Sequence, residues 1–474
     1  MISATYSLGH NELSKGIASM RQRLLFNAFA QVSPSHHNGG LWKSPWGMKH
    51  PYWELDTWID IAKTIEAAKF DGLFLADHLG IMGPYKGNHR TIVEHGLVFP
   101  NDDAIIICAA LAAVTEHLSL GFTSSIIQNQ PFEFARLAST LDRISKGRAV
   151  WNFVTSSLSN SYRNVGFDRD PTAEERYKRA DEFIEVVMAL WEGSWAFDAV
   201  KRDPETGIYA DPEKIFRINY DTDMYKVQGP LLTEPSPQRT PFIFTAGMSP
   251  NAFASAARNA EALLIAARDY EHVSRIAKQL NDELAKVGRR PGDVKILQMM
   301  YFVVGSTTAE AKRKHEEIMH YAYTLGKHAS YGGVMGIDLG KYSIDEEFDV
   351  RTSPFFRGMF YSADFEPGRT SATIREIMDR LAYPPIVGTP EEIADELEKW
   401  QDAGIHGVNL GDYQFHQSYH DVAEYVMPEL RKRGLAQTEY APGTFREKVF
   451  GEGPHISERH PGARFRGAFT DKLA

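Results

Sequence analysis

A chain of 474 residues, 43% of them hydrophobic, has enough apolar material for a sizeable core. Charged residues make up 24%, an ordinary globular share that argues against disorder. The formal net charge of -10 excludes a global basic field for nucleic acid, and the densest basic run, Arg431-Lys432-Arg433, reads as the cationic end of a helix. The single cysteine, Cys108, rules out an internal disulfide framework and a cysteine-built metal centre. Its apolar neighbours Ile105, Ile106 and Ile107 make it a buried core thiol. The first residues lack the apolar run of a signal peptide, and no stretch reaches the roughly eighteen consecutive apolar residues of a membrane span, so a cytoplasmic protein is expected.

In chain order, short apolar runs alternate with longer amphipathic ones. Strands are predicted at Leu24–Phe29, Gly72–Ala76, Leu118–Ser124, Ala149–Val154, Phe242–Ala246, Ala262–Ala266, Ile296–Val304 and Gly407–Gly411. Helices are predicted at Trp53–Ala68, Asp102–Glu116, Phe132–Ile144, Glu174–Trp191, Val273–Val287, Thr308–Leu325, Pro390–Ala403 and Val422–Arg433. Pro390–Ala403 carries its own boundaries. Thr389 is placed to cap it, Pro390 suits the first turn, and Glu391 and Glu392 favour its positive end. Ile393, Ala394, Leu397 and Trp400 recur at helical spacing, and Gly404 stops it.

Alternation of this kind implies parallel strands joined by crossovers, and eight of them close a TIM barrel. A doubly wound open sheet is the competing arrangement, but the chain has neither a G-x-G-x-x-G fingerprint nor a P-loop. The expected organisation is an N-terminal arm over 1–22, one (β/α)8 barrel over 23–436, and a C-terminal tail over 437–474. Two long unperiodic segments, near 192–240 and 330–385, are insertions, and the second is a candidate lid. The tail is expected to wrap the surface or a neighbouring subunit.

A barrel's active site lies at the carboxyl ends of its strands. The polar residues there are Asp77 and His78, Thr123, Ser124 and Ser125, Asn152, Thr155, Ser156 and Ser157, Ser249, and Asn409. This ring supplies hydrogen bonds rather than a nucleophile with a paired base. In Ala246-Gly247-Met248-Ser249-Pro250 a strand passes into a helix that Ser249 caps, a terminus suited to a phosphate or to nothing more than capping. Arg176 and Tyr177 open another helix and offer a guanidinium and a phenol. His315 and His320 are spaced off one helical face, and the neighbours His36 and His37 cannot easily share one ion, so no metal site is expected. Trp42, Trp46, Tyr52 and Trp53 could form an apolar substrate wall or ordinary packing.

Many ordered segments also resemble one family. They include Asn27-Ala28-Phe29, Phe74-Leu75-Ala76-Asp77, Ser139-Thr140-Leu141-Asp142, Trp151-Asn152, Glu175-Arg176-Tyr177, Leu190-Trp191-Glu192-Gly193-Ser194-Trp195, Glu234-Pro235-Ser236-Pro237 and Phe445-Arg446-Glu447-Lys448. The chain resembles the bacterial luciferase-like flavin monooxygenases, in the subgroup acting on nitrilotriacetate, dibenzothiophene sulfone, dimethylsulfide and long-chain alkanes. The resemblance implies a TIM barrel that receives reduced FMN (FMNH2) from a separate NAD(P)H:flavin reductase and oxidises a small substrate with O2 through a flavin peroxide. By position, Asp77, Thr123, Asn152 and Ser156 would line the flavin, and Arg176, Tyr177 and Ser249 would hold its phosphate end. His36 is the candidate proton donor, and a homodimer or homotetramer is implied. Ala173, Ser157 and Ser330 stand where relatives often carry His, which puts transfer of any one relative's substrate in doubt. A deazaflavin-dependent oxidoreductase and a non-catalytic flavin-binding barrel are the alternatives. Oxygen consumption separates the first, and turnover the second.

Overall fold

The structure is a computed structural model that describes residues 22–34, 38–156, 158–322, 326–335, 337–349, 369–381 and 383–473. Eight parallel strands close into a TIM barrel in chain order: β1 (Leu25–Gln31), β2 (Gly72–Ala76), β3 (Ser119–Ser125), β4 (Ala149–Val154), β5 (Phe242–Ala246), β6 (Ala262–Ile265), β7 (Lys295–Met300) and β8 (Gly407–Gly411). β8 returns to β1 with Asn409 opposite Asn27, which seals the ring. One strand departs from expectation. The predicted run Ile296–Val304 divides at Tyr301, and Phe302–Val304 leaves the barrel to pair in parallel with Ile386–Gly388.

Alternation along each strand sorts side chains between the barrel interior and the helical ring. On β4, Trp151 and Phe153 face the helices while Val150 and Asn152 point inward. Trp151 packs with Phe134, Phe183 and Trp191, its ring centroid 4.5 Å from that of Phe134 and 6.1 Å from that of Phe183. The indole N–H groups of Trp151 and Trp191 donate to Ser124 O and Ala135 O. Aromatic contacts of this geometry add about 0.5–1.5 kcal/mol each beyond area burial. They lock helices Pro131–Ile144 and Ala173–Met188 against β4, and so fix where Arg176 and Tyr177 stand.

The lower interior is a plug of Leu25, Phe74, Val150, Phe242, Phe244 and Leu297, closed from below by the tail. Helix Phe445–Phe450 inserts Phe445 against Phe242 at 4.8 Å, and Phe445 N–H donates to Gly147 O just before β4. The buried Arg446 donates to both carboxylate oxygens of Glu261, at 2.6 and 2.8 Å, and to the carbonyls of Pro454 and Thr240. The tail therefore covers the amino-terminal mouth of its own barrel. Its apolar residues at unperiodic spacing serve this plug, a role that sequence periodicity does not announce.

The described parts of the insertions carry little regular structure. The first forms two small hairpins, Val200–Asp203 with Ile208–Ala210 and Tyr220–Asp221 with Lys226–Val227. In the second, helix Gly326–Met335 begins ahead of the expected boundary, and strands Glu347–Asp349 and Ser371–Thr373 pair before helix Ile374–Leu381. Cys108 is buried and without a disulfide, as its apolar setting implied. No helix among the described residues is long and apolar enough to cross a membrane.

Candidate active site

A cavity of ≈ 250 Å³ opens at the carboxyl ends of β2, β4 and β5. Its wall includes Asp77 and His78 after β2, Phe153, Val154, Thr155 and Ser156 at the end of β4, and Thr245 and Ala246 on β5. Tyr177 and the first turns of helix Pro250–Asn259, through Ala252 and Ser255, complete one side. Met82 and Leu158 form the outer rim and belong to a small apolar cluster with Ile92, Leu97 and Ala329. Ala329 lies on helix Gly326–Met335, so the described start of the lid candidate packs over this rim. A clasp reinforces it: Lys86 N–H and Gly87 N–H donate to the Asp338 carboxylate at 2.7 and 2.6 Å.

Among the described lining residues Asp77 is the one carboxylate. Its Oδ1 accepts from Asn101 Nδ2 and from the His78 backbone N–H, both at 2.6 Å. Burial nevertheless dominates and pushes its pKa up to about 6, against the lowering effect of Asn101 and the Ala104 N–H. Burial pushes the His78 ring the other way, below the ordinary imidazole range, although the Val98 and Gly80 carbonyls lie close enough to favour the charged form. Neither ring nitrogen of His78 has a well-aligned hydrogen bond among the described residues.

One strand inward, Thr123 of β3 and Asn152 of β4 are register partners, and Asn152 Nδ2 donates to Thr123 Oγ1 at 2.9 Å. Asn152 Oδ1, Ser161 Oγ and Ser255 Oγ are buried without a partner among the described residues. Buried polar atoms normally find partners, so this concentration marks a place built for a ligand's donors and acceptors. Ser156 shares a hydrogen bond of 2.7 Å with Ser125 and holds φ 52, a left-handed conformation uncommon outside glycine. Gly247, at φ 143, lies where an added Cβ would sit 2.8 Å from Ala252 Cβ, so only glycine lets β5 turn so tightly into the next helix.

Of the residues singled out from sequence, Asp77, Ser156 and Tyr177 line the cavity, and Thr123 and Asn152 sit beside it on β3 and β4. Ser249 caps its helix by accepting from Ala252 N–H at 3.2 Å, next to the lining rather than in it. Arg176 also lies just outside the lining. Its Nη1 donates to Pro171 O at 3.2 Å, its buried Nε is unpartnered, and no carboxylate pairs with it among the described residues. The adjacent Glu175 instead caps its own helix through Thr172 N–H and pairs with Arg169. Arg176 is thus a guanidinium with donors to spare. His36 and Ser157 lie outside the described residues. None of Trp42, Trp46, Tyr52 and Trp53 lines the cavity; Trp42 and Trp53 are exposed, and Trp46 packs edge-on against Tyr321. Sequence reading missed Asn101, Ser161 and Ser255. No local motif marks them, because the cavity only forms when distant loops meet.

Barrel and cavity together give a site with a largely apolar, largely uncharged wall and a few buried polar atoms set to hydrogen-bond a ligand. The chain belongs to the luciferase-like monooxygenase family, which matches residues 26–407. It is 37% identical to the dimethyl-sulfide monooxygenase of Hyphomicrobium sulfonivorans over 459 residues, 96% of either chain. It is also 37% identical to the long-chain alkane monooxygenase of Geobacillus thermodenitrificans, over 94% of this chain and 99% of that one. A crystal structure of long-chain alkane monooxygenase matches with a TM-score of 0.87, covering 94% of this chain and 100% of the other. A riboflavin lyase, solved with modified FMN and riboflavin, matches at 0.85 with 31% identity, covering 94% and 100%. The protein is accordingly a flavin-dependent monooxygenase.

Proposed function

We propose that the chain is the oxygenase of a two-component system, taking reduced FMN from a separate NAD(P)H:flavin reductase and oxidising a small organic molecule with O2. The observation that carries this reading is the cavity wall itself. It combines apolar surface from Phe153, Met82 and Leu158 with the buried Ser161 Oγ and Ser255 Oγ, which have no partner among the described residues. Such a wall suits a flat heterocycle with polar edges, and the spare donors of Arg176 suit its phosphate. Asp77, Thr123, Asn152 and Ser156 would line the ring, and Arg176, Tyr177 and Ser249 would hold the phosphate end. Reduced flavin, when bound, supplies the two electrons that let O2 give one oxygen atom to the substrate and one to water. Asp77, with a pKa of about 6, holds a proton at its carboxyl group below that pH and releases it above. The packing of Ala329 on the rim keeps water from one side of the site, which protects reactive species. A homodimer or dimer of dimers is the proposed assembly, which light scattering showing a monomer would refute.

The test is turnover of the purified chain with a generic FMN reductase, NADH and isotopically labelled O2. The panel comprises sulfides, sulfones, alkanes, aminopolycarboxylates and aromatics, with riboflavin added because of the lyase likeness. Label in an organic product is the expected result. Formation of H2O2 alone across the whole panel would sink the proposal.

A further inference from the structure

Away from the cavity, on the outer ring of helices, three side chains converge. Asp60 lies on helix Leu55–Ala67, which follows β1, while His416 and His420 lie at the start of the helix that follows β8. Asp60 Oδ2 is 2.6 Å from His416 Nε2 and 2.8 Å from His420 Nε2, and the two ring nitrogens are 3.2 Å apart. We propose that Asp60, His416 and His420 form a binding site for a first-row divalent cation, with Zn2+ the best match, which ties the first helix of the barrel to the last.

Hydrogen bonding alone satisfies this triangle poorly. Both imidazoles would have to donate to one carboxylate oxygen, crowding two N–H hydrogens across a single short gap. A cation removes that conflict, because each ring then offers a lone pair instead of a hydrogen. With metal–ligand bonds of about 2.0–2.1 Å, tetrahedral neighbours stand about 3.3 Å apart, so the His416–His420 edge already fits and the two edges to Asp60 must open by roughly half an ångström or a little more, a motion open to the half-exposed Asp60 side chain. The positions are also held in advance. His416 caps the helix that carries His420, and the two rings lie with centroids 4.4 Å apart. The His416 ring is buried and stacked on His50 at 3.7 Å and 5°, and its backbone adopts φ 67, left-handed for a residue that is not glycine.

The donor set selects the ion. Two imidazoles and one carboxylate suit Zn2+ and its first-row neighbours, whereas Mg2+ and Ca2+ prefer all-oxygen sites. The Asp60 side chain is 52% exposed, which leaves an entry path and room for water as a fourth ligand. None of the three lines the cavity, so the site's role is to staple the seam where the chain's first and last barrel units meet. Asp60 and His416 are 356 residues apart, which is why a reading of local spacing expects no metal.

Calorimetric titration of the chelator-treated full chain with ZnCl2 is the test, beside MgCl2 and CaCl2 and variants Asp60→Asn and His420→Gln. One Zn2+ per chain is expected, with no saturable Mg2+ or Ca2+ binding, a Zn2+-dependent rise in Tm, and at least about tenfold weaker Zn2+ binding in each variant. Asp60→Asn, changed at a half-exposed position, keeps the comparison usable if His420→Gln folds poorly. Absence of stoichiometric binding to the wild-type chain overturns the site. Equal Zn2+ affinity in wild type and Asp60→Asn also does so, because the ion would then be held elsewhere.

Discussion

The two ends of the barrel solve opposite problems with similar residues. At the amino-terminal end the buried Arg446 and Glu261 satisfy each other: two hydrogen bonds join them, and the remaining guanidinium donors of Arg446 reach carbonyls. At the carboxyl-terminal end Asn152 Oδ1, Ser161 Oγ and Ser255 Oγ are buried without partners among the described residues, and Asp77 has no cation beside it among them. The Arg446–Glu261 pair spends its hydrogen bonds on holding the fold. The carboxyl-terminal end keeps hydrogen-bonding capacity free around the cavity, at a cost in stability, and that is where a ligand would complete it.

Breaking the Arg446–Glu261 pair has the largest expected effect. Arg446→Ala leaves Glu261 buried without its cation, and removing one partner of a buried pair costs about 3–5 kcal/mol. Denaturant unfolding should show that loss, and a change below about 1 kcal/mol would mean the tail contributes little to the plug. At the other end a polar substitution should stabilise the ligand-free chain. Asp77 has a folded-state pKa of about 6, raised above its unfolded value. Its contribution is therefore fully favourable below the unfolded value and is lost as pH rises through about 6. The shift corresponds to at most about 3 kcal/mol at neutral pH. Asp77→Asn, which can still accept from Asn101, should raise Tm at pH 7.5 and have little effect at pH 4. An equal gain at both values would show that the charge is not what costs stability.

The comparison sharpens further at Arg176, whose free donors belong to the unsaturated end. Charge-assisted bonds contribute roughly 1.5–3 kcal/mol, so Arg176→Ala should weaken FMN binding about ten- to a hundredfold. Riboflavin, which lacks the phosphate, should bind almost as before. Equal losses for both flavins would make Arg176 a structural residue. The smallest effect belongs to Ser249→Ala. Loss of its bond to Ala252 N–H should cost about 1 kcal/mol of stability, seen in the same unfolding experiment.

Much of the architecture was legible because its causes are local. β2, β4, β5 and β8 have the bounds expected from apolar runs, and Pro390–Ala403 begins and ends where its cap, its proline and Gly404 dictate. Asp77, Ser156 and Tyr177 were readable as cavity residues because a barrel places whatever follows its strands on one rim. The departures involve contacts between distant segments. Tyr301 divides the seventh strand because Ile386–Gly388 offers the next three residues a second partner outside the barrel. The tail's aromatic residues find their place only once the barrel has a mouth to close.

The sequence by itself determined the alternating elements, the parallel barrel and the rim on which chemistry would stand, since hydrophobic period, capping and turn residues act within a few positions of one another. Only the tertiary structure decided that Asn101 would hold Asp77 in place, that Arg446 would find Glu261, and that Asp60 would meet His416 and His420. Those pairings depend on burial and on loops of 24 to 360 residues closing to within hydrogen-bonding distance, and no local pattern encodes either.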